Sequence, residues 1–295
     1  MSQFAQATIY GLLQGGLLAM VAVGFSLVWG VMNIVNLAHG AFVVAGAYIA
    51  LTLNDWWGLD PFLGMVPAAL VLFALGYAIQ RGLVNLVVNA PIFITLLLTF
   101  GLQLLAVNGM ILIFTANYRS IQTAYAQTSW VLPGDVRVPL GRLIAFGLAV
   151  AIVLALGFVM HRTRTGLSIL ATGLDRGAAQ LMGIKAAHVY ALTFGLAAAL
   201  AGAAGAAIGA VSTFSPADAG RLTLFSFVAA VLGGLGNMSG ALYGGLLLGL
   251  AESWGGQILP GTLVNAVAFA VLVIVLATRP QGLAGRSYYA GRVEA

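Results

Sequence analysis

Predominantly apolar runs cover 7–29, 62–80, 91–114, 140–160, 189–211 and 262–278, and most polar residues gather in the gaps. A helix needs about 20 apolar residues to cross the roughly 30 Å hydrocarbon core of a bilayer, so these runs predict membrane spans. They are continuous rather than alternating, which argues against a transmembrane β-barrel. Two further stretches are apolar but irregular. Residues 38–53 are short for a full crossing, and 222–258 is interrupted by Gly233-Gly234-Leu235-Gly236-Asn237-Met238-Ser239-Gly240. The part from Leu222 to Leu235 would reach about 21 Å as a helix at 1.5 Å per residue. The pattern predicts an all-α polytopic membrane protein of about eight transmembrane helices, some broken or re-entrant.

Charge orients these spans. Residues 161–188 carry Arg162, Arg164, Arg176 and Lys185 against Asp175. An excess of Arg and Lys marks a cytoplasmic loop. Arg81, taken as the close of the span 62–80, and the tail residues Arg279, Arg286 and Arg292 fall on the same side. The spans 189–211 and 262–278 already give an even number of crossings, so 222–258 must add none or two. A re-entrant pair of half-helices meeting at the glycine break fits, because broken backbone is tolerated inside a membrane where protein or water surrounds it. The stretch 115–139, with Arg119, Trp130, Pro133-Gly134, Asp135 and Arg137, reads as an external platform, although Arg142 just beyond it counts mildly against that side. If 38–53 is a half-helix, the N-terminus is cytoplasmic; if it crosses fully, the N-terminus is outside.

The basic loop has one helix with readable ends. Asp175 suits an N-cap, its carboxylate accepting from free N–H groups of the first turn. Arg176 to Met182 supplies one to two turns. Gly183 suits the left-handed position after the helix, with Ile184 folding back on Ala179. A helix this short is not stable alone and must pack on something. Its small residues, Gly177 and Ala178, leave two readings open: an incidental turn of a cytoplasmic loop, or a docking element for a cytoplasmic partner.

Composition narrows the chemistry. Of 295 residues 61% are hydrophobic and 6% charged, against roughly a quarter charged in soluble domains. The net charge of +5 sits at loop ends and does not point to nucleic acid. Cysteine is absent, which excludes disulfides and thiolate metal sites. The N-terminus lacks the basic region and cleavage site of a signal peptide, so its first apolar run is expected to be retained. The 39 glycines allow close helix packing, as in Ala201-Gly202-Ala203-Ala204-Gly205. No Walker A loop surrounds Lys185, and there is no zinc-protease motif or Gly-X-Ser-X-Gly elbow. Polar residues at membrane depth are costly unless partnered. Asn33, Asn36 and His39 therefore mark either a satisfied helix-breaking turn or a broken helix facing a pathway. Glu252 reads as an acid at the membrane edge, near Trp254, ahead of an ion site. Asn36-Leu37-Ala38-His39-Gly40-Ala41 and Asn237-Met238-Ser239-Gly240-Ala241 echo one another and suggest two related halves.

Several of these motifs carry a family resemblance. Ala171, Asp175, Ala179, Gly183 and Ile184 match the spacing of the coupling loop in membrane subunits of ABC importers, and the branched-chain amino acid permeases resemble this chain most. Asn36 to Gly40 followed by Gly46-Ala47-Tyr48, the glycine break with Gly244-Gly245 and Glu252 downstream, and Arg279-Pro280-Gln281-Gly282-Leu283-Ala284-Gly285 are similar to further signatures of that group. The stretch 81–91 is less basic than the family pattern. The resemblance covers nearly the whole chain and implies one permease domain over 1–295 with the ABC importer permease fold. It assigns coupling to the ATPase to Ala171, Asp175, Arg176, Ala178, Ala179, Gly183 and Ile184. It favours Asn33, Asn36, His39, Gly40, Gly236, Asn237 and Ser239 as lining or supporting the substrate pathway. It implies a bacterial inner-membrane importer of branched-chain or related apolar amino acids. The implied partners are two cytoplasmic ATP-binding subunits, a paralogous second permease and a periplasmic substrate-binding protein. ATP and Mg would be bound by those partners and no cofactor by this chain. The rival reading is a self-sufficient channel or secondary transporter, for which only Glu252 and a few asparagines offer ion ligands; a membrane-embedded enzyme lacks a catalytic cluster.

Overall fold

The computed structural model describes residues 2–123, 125, 128–132, 136–260 and 263–285. Arg286, Arg292, Pro133, Gly134 and Asp135 lie outside the described residues. The fold is all-α apart from a small hairpin, as the hydrophobic pattern predicts. In chain order the helices are α1 (Ser2–Met32), α2 (His39–Trp57), α3 (Pro61–Ile79), α4 (Asn85–Val87), α5 (Ile92–Phe114), α6 (Leu140–Arg162), α7 (Arg164–Leu174), α8 (Arg176–Leu181), α9 (Ala186–Val211), α10 (Asp218–Gly233), α11 (Met238–Ile258) and α12 (Val264–Thr278). The hairpin pairs β1 (Ser129–Leu132) with β2 (Val136–Pro139), antiparallel, within the stretch expected to form a platform.

Among the described residues, 5 helices are long and apolar enough to cross a membrane, or up to 6 if the bent pair α10–α11 is one span. The count of about eight is therefore not met by length and composition alone. The 19-residue α2 is not among them, and α12 is shorter than a span. A second difference concerns Arg81. It does not close a span, because a π-helical turn at Gln80–Val84 carries α3 on into α4.

Close backbone contacts fix how the helices run. Ser253 Oγ donates to the Ala7 carbonyl at 2.6 Å, and Trp254 Nε1 to Thr8 Oγ1 at 3.0 Å. Further along, Gly11 lies against Gly249, Gly15 against Leu246, and Gly245 against Ala19; at the far end Gly30 meets Gly236. Hence α11 lies antiparallel along nearly all of α1. The helix α9 is gripped in the same way by α3, through Gly76, Gly195 and Gly202, and by α2, through Gly46 against Gly202 and Val43 against Gly205. Lipid tails give helices no hydrophobic reason to associate, so small residues that let backbones touch carry the packing.

The arrangement has an internal two-fold logic. After α1 the chain turns back through 33–38, and α2 starts beside the middle of α1, where His39 Nε2 bonds the Val21 carbonyl at 2.9 Å. After α9 the chain turns back through 212–217, and α10 starts against the first turn of α2: Gly40 N donates to Thr223 Oγ1 at 2.9 Å, and Thr223 Oγ1 donates to the Leu37 carbonyl at 2.9 Å. The third helix of each unit, α3 or α11, packs on the long helix of the other. The two long helices run in opposite directions. Such inverted repeats with helices broken at depth are a transporter architecture. The sequence echo paired Asn36 with Asn237; the structure pairs α1–α3 with α9–α11 instead, so the counterpart of 33–38 is 212–217. It also resolves the choice posed for 38–53. The helix α2 starts at depth, yet α1 begins at the end of the bundle opposite the basic loop, because 33–38 re-enters before α2 continues to that end.

Overpacking the α1–α11 contact is expected to be destabilising. A Cβ at Gly245 would overlap the Ala19 backbone, whereas one at Gly101 of α5 meets nothing within 4 Å. Gly245→Ala should cost about 1–3 kcal/mol, and Gly101→Ala should be neutral or slightly stabilising. Thermal melts of the detergent-solubilised chain, read by size-exclusion chromatography, check this; indistinguishable melts would refute the packing.

Candidate functional site

The basic loop folds as an elbow of two helices. Only the second was expected. The helix α7 was legible in hindsight: Thr163 accepts from Gly166 N at 3.0 Å as an N-cap, and Leu167, Leu170 and Leu174 recur at helical spacing. Its inner face buries Gly166, Ile169 and Thr172. At Gly166 there is no room for a Cβ against Val159 and Met160, and at Gly173 one would sit 2.9 Å from the Gly30 carbonyl of α1.

The ends of α8 have the geometry its sequence suggests. Asp175 Oδ1 accepts from Ala178 N at 3.0 Å. Gly183 has φ +83. Ile184 N donates to the Ala179 carbonyl at 3.1 Å and Gly183 N to the Gln180 carbonyl at 3.0 Å, the paired bonds of a Schellman end. The inner side of α8 is pinned by the buried Ala179 and by Arg176. The Arg176 guanidinium bonds Asn89 Oδ1 and lies 5.5 Å from the centre of the Tyr190 ring of α9. Nearby, Tyr77 of α3 hydrogen-bonds His188 Nδ1 at 3.0 Å, and Asn85 Nδ2 donates to the Ala187 carbonyl at 3.4 Å. Thus the elbow rests on α1 through Gly173 and on α9 through Arg176, touching the long helix of each unit.

The outer side is unusual for a surface loop. Leu181 is 90% exposed, Met182 83% and Leu174 74%, and Ala178, Arg162, Arg164 and Lys185 of the same loop are exposed too. Ala171 is half-buried on α7. Exposed apolar side chains within a polar rim are the composition of a docking surface.

The residues proposed for a pathway do not converge on one face. Asn36 is buried, its Oδ1 accepting from Ala38 N at 3.1 Å. His39 is fully buried, packed edge-on against Phe25 at 5.8 Å, and its Nδ1 has no hydrogen-bond partner among the described residues. Gly40 is buried against Ala219 and Thr223. Gly236, at φ +81, donates its N–H to Ser26 Oγ at 3.1 Å. Asn237 is an N-cap: its Oδ1 accepts from Gly240 N at 3.1 Å, and its Nδ2 donates to the Ala284 carbonyl at 2.8 Å. Asn33, at φ +54, and Ser239 are exposed. Glu252 is half-buried one residue before Ser253 and Trp254, whose bonds to the start of α1 place it at the bundle end opposite the elbow.

An inverted pair of helical units, carrying an elbow across both, defines a multi-pass membrane protein of the transporter kind. Comparison with known proteins is more specific. Residues 7–276 match the family described as branched-chain amino acid transport system / permease component, and the chain belongs to that family. It is 31% identical over 302 residues to the high-affinity branched-chain amino acid transport system permease protein BraD of Pseudomonas aeruginosa, covering 96% of each chain. It is 28% identical over 305 residues to LivH of Escherichia coli K12, a protein of the same description, again covering 96% of each. It is also 28% identical over 272 residues to the fructose import permease protein FruF of Bifidobacterium longum, covering 87% of this chain and 72% of that one. No solved structure matches the chain.

Asn237→Ala removes both a cap and the tether to the tail. It should destabilise by about 1–2 kcal/mol and speed proteolysis or hydrogen exchange within 279–285. Unchanged exchange there would show that the tether carries no weight.

Proposed function

We propose that this chain is the permease subunit of a bacterial inner-membrane ABC importer for branched-chain or related apolar amino acids. The observation that carries the reading is the elbow. Its inner side is fastened to both long helices, while Leu181 and Met182 stand almost fully exposed. Such a surface suits an ATP-binding subunit, which would seat α8 in a cleft and push both units together. Ala171, Asp175, Arg176, Ala178, Ala179, Gly183 and Ile184 would shape and hold that contact. The elbow then faces the cytoplasm, as its cations require. The partners are two ATP-binding subunits, which hold ATP and Mg, a paralogous second permease, and a periplasmic binding protein. This chain would bind no cofactor itself.

Movement of the elbow would carry the interlocked units together and switch the face to which a pathway between two permeases opens. The cargo assignment rests on BraD and LivH and on the few charges along the spans, which suit an apolar side chain. A permease of similar sequence, FruF, is named for a sugar. The pathway role of Asn33, Asn36, His39, Gly40, Gly236, Asn237 and Ser239 is indirect in this reading. Asn36, His39 and Asn237 hold the broken backbone in shape, and Asn33 and Ser239 are left to face cargo or a neighbouring subunit.

Leu181→Glu with Met182→Glu should leave membrane insertion intact and lower ATP-driven leucine uptake in reconstituted vesicles more than tenfold. Uptake at the level of the unsubstituted complex would exclude the elbow as the coupling site.

A further inference from the structure

At the bundle end opposite the elbow lies a cavity of about 350 Å³. Tyr10 of α1, Arg142 at the start of α6, Ser212 and Thr213 after α9, and Ser120 and Gln122 of the preceding loop line it. Arg142 is the charged group among the described lining residues. It is half-buried, and its guanidinium carbon sits 4.9 Å from the centre of the Tyr10 ring. Among the described residues no carboxylate pairs with it, and no carbonyl or side chain accepts its N–H groups. Stacking on an aromatic ring satisfies one face of a guanidinium. It leaves the edge donors, up to five N–H groups in a planar fork, without acceptors. In an open cavity water occupies those positions, and an acceptor that arrives from outside can take its place.

From this arrangement we infer that the cavity is a subsite for the carboxylate of a small apolar acid, met at the outer mouth before the cargo enters the pathway. A carboxylate matches the guanidinium fork with two parallel hydrogen bonds. The hydroxyls of Ser120, Ser212 and Thr213 and the Gln122 amide stand by for a second polar group. The choice of an amino acid as the source rests on the function proposed above; the carboxylate chemistry does not.

The test reads binding without transport. The purified full chain in phosphatidylcholine nanodiscs is titrated with isovalerate and, separately, isoamylamine, which has the same tail and the opposite charge, using saturation-transfer NMR. Isovalerate should bind and isoamylamine should not, and Arg142→Gln should weaken isovalerate at least tenfold. If that variant does not elute as a folded species, Arg142→Lys decides, with at least threefold weaker binding expected because an ammonium lacks the fork. Absent isovalerate binding, equal binding of both compounds, or affinity untouched by the deciding variant overturns the subsite. Isovalerate binding with failed leucine import would sink the amino-acid reading alone; leucine import with no isovalerate binding would sink the subsite alone.

Discussion

The structure depends on backbones touching. Gly11, Gly15, Gly245 and Gly249 bring α1 and α11 into contact, and Gly46, Gly76, Gly202 and Gly205 do the same around α9. In a bilayer these contacts replace the hydrophobic effect as the source of helix association. They also settle which helices move together. Each unit lends its third helix to the long helix of the other, so neither unit can shift without carrying part of its neighbour.

Broken backbone inside the bundle follows from that packing. Turning back at 33–38 and 212–217 frees peptide groups at membrane depth, where an unpaired one costs several kcal/mol. Thr223 answers for two of them, at Leu37 and Gly40, and Thr99 Oγ1 serves Leu37 N at 3.2 Å and the Val35 carbonyl at 3.1 Å. At the further break between α10 and α11 the segment after α12 closes the end of α10: Leu283 N donates to the Leu232 carbonyl at 2.8 Å and Ala284 N to the Gly233 carbonyl at 3.0 Å. The polar residues that stand out in an apolar sequence are therefore mostly occupied with the chain's own backbone. The elbow is the reverse case. Its caps satisfy backbone groups at its helix ends, while Leu181 and Met182 stand exposed on its outer side.

Much of this was legible in the sequence, for physical reasons that differ from place to place. Long apolar runs announce spans because the bilayer demands them. The caps of α8 could be read because Asp175 and Gly183 each do one thing well at one position. The helix α7 left a signal in the Thr163 cap and the spacing of Leu167, Leu170 and Leu174, but Gly166 and Gly173, placed for closeness rather than hydrophobicity, obscure its inner face. Arg81 misled because a cation closes a span only where the helix also ends, and here it continues into Val87. The inverted relation of the two units was out of reach, since 33–38 and 212–217 share a geometry and no motif. The candidate pathway residues were picked for polarity, which cannot distinguish a side chain facing cargo from one capping a helix.

The central claim is that the elbow is an inward-facing surface covered by another protein. The chain contains no cysteine, so Met182→Cys supplies a unique probe. A membrane-impermeant maleimide should label it in inside-out vesicles and not in right-side-out ones, and co-assembly with the ATP-binding subunits should protect it. Labelling from the outer face, or equal labelling with and without those subunits in a transport-active complex, would contradict the account.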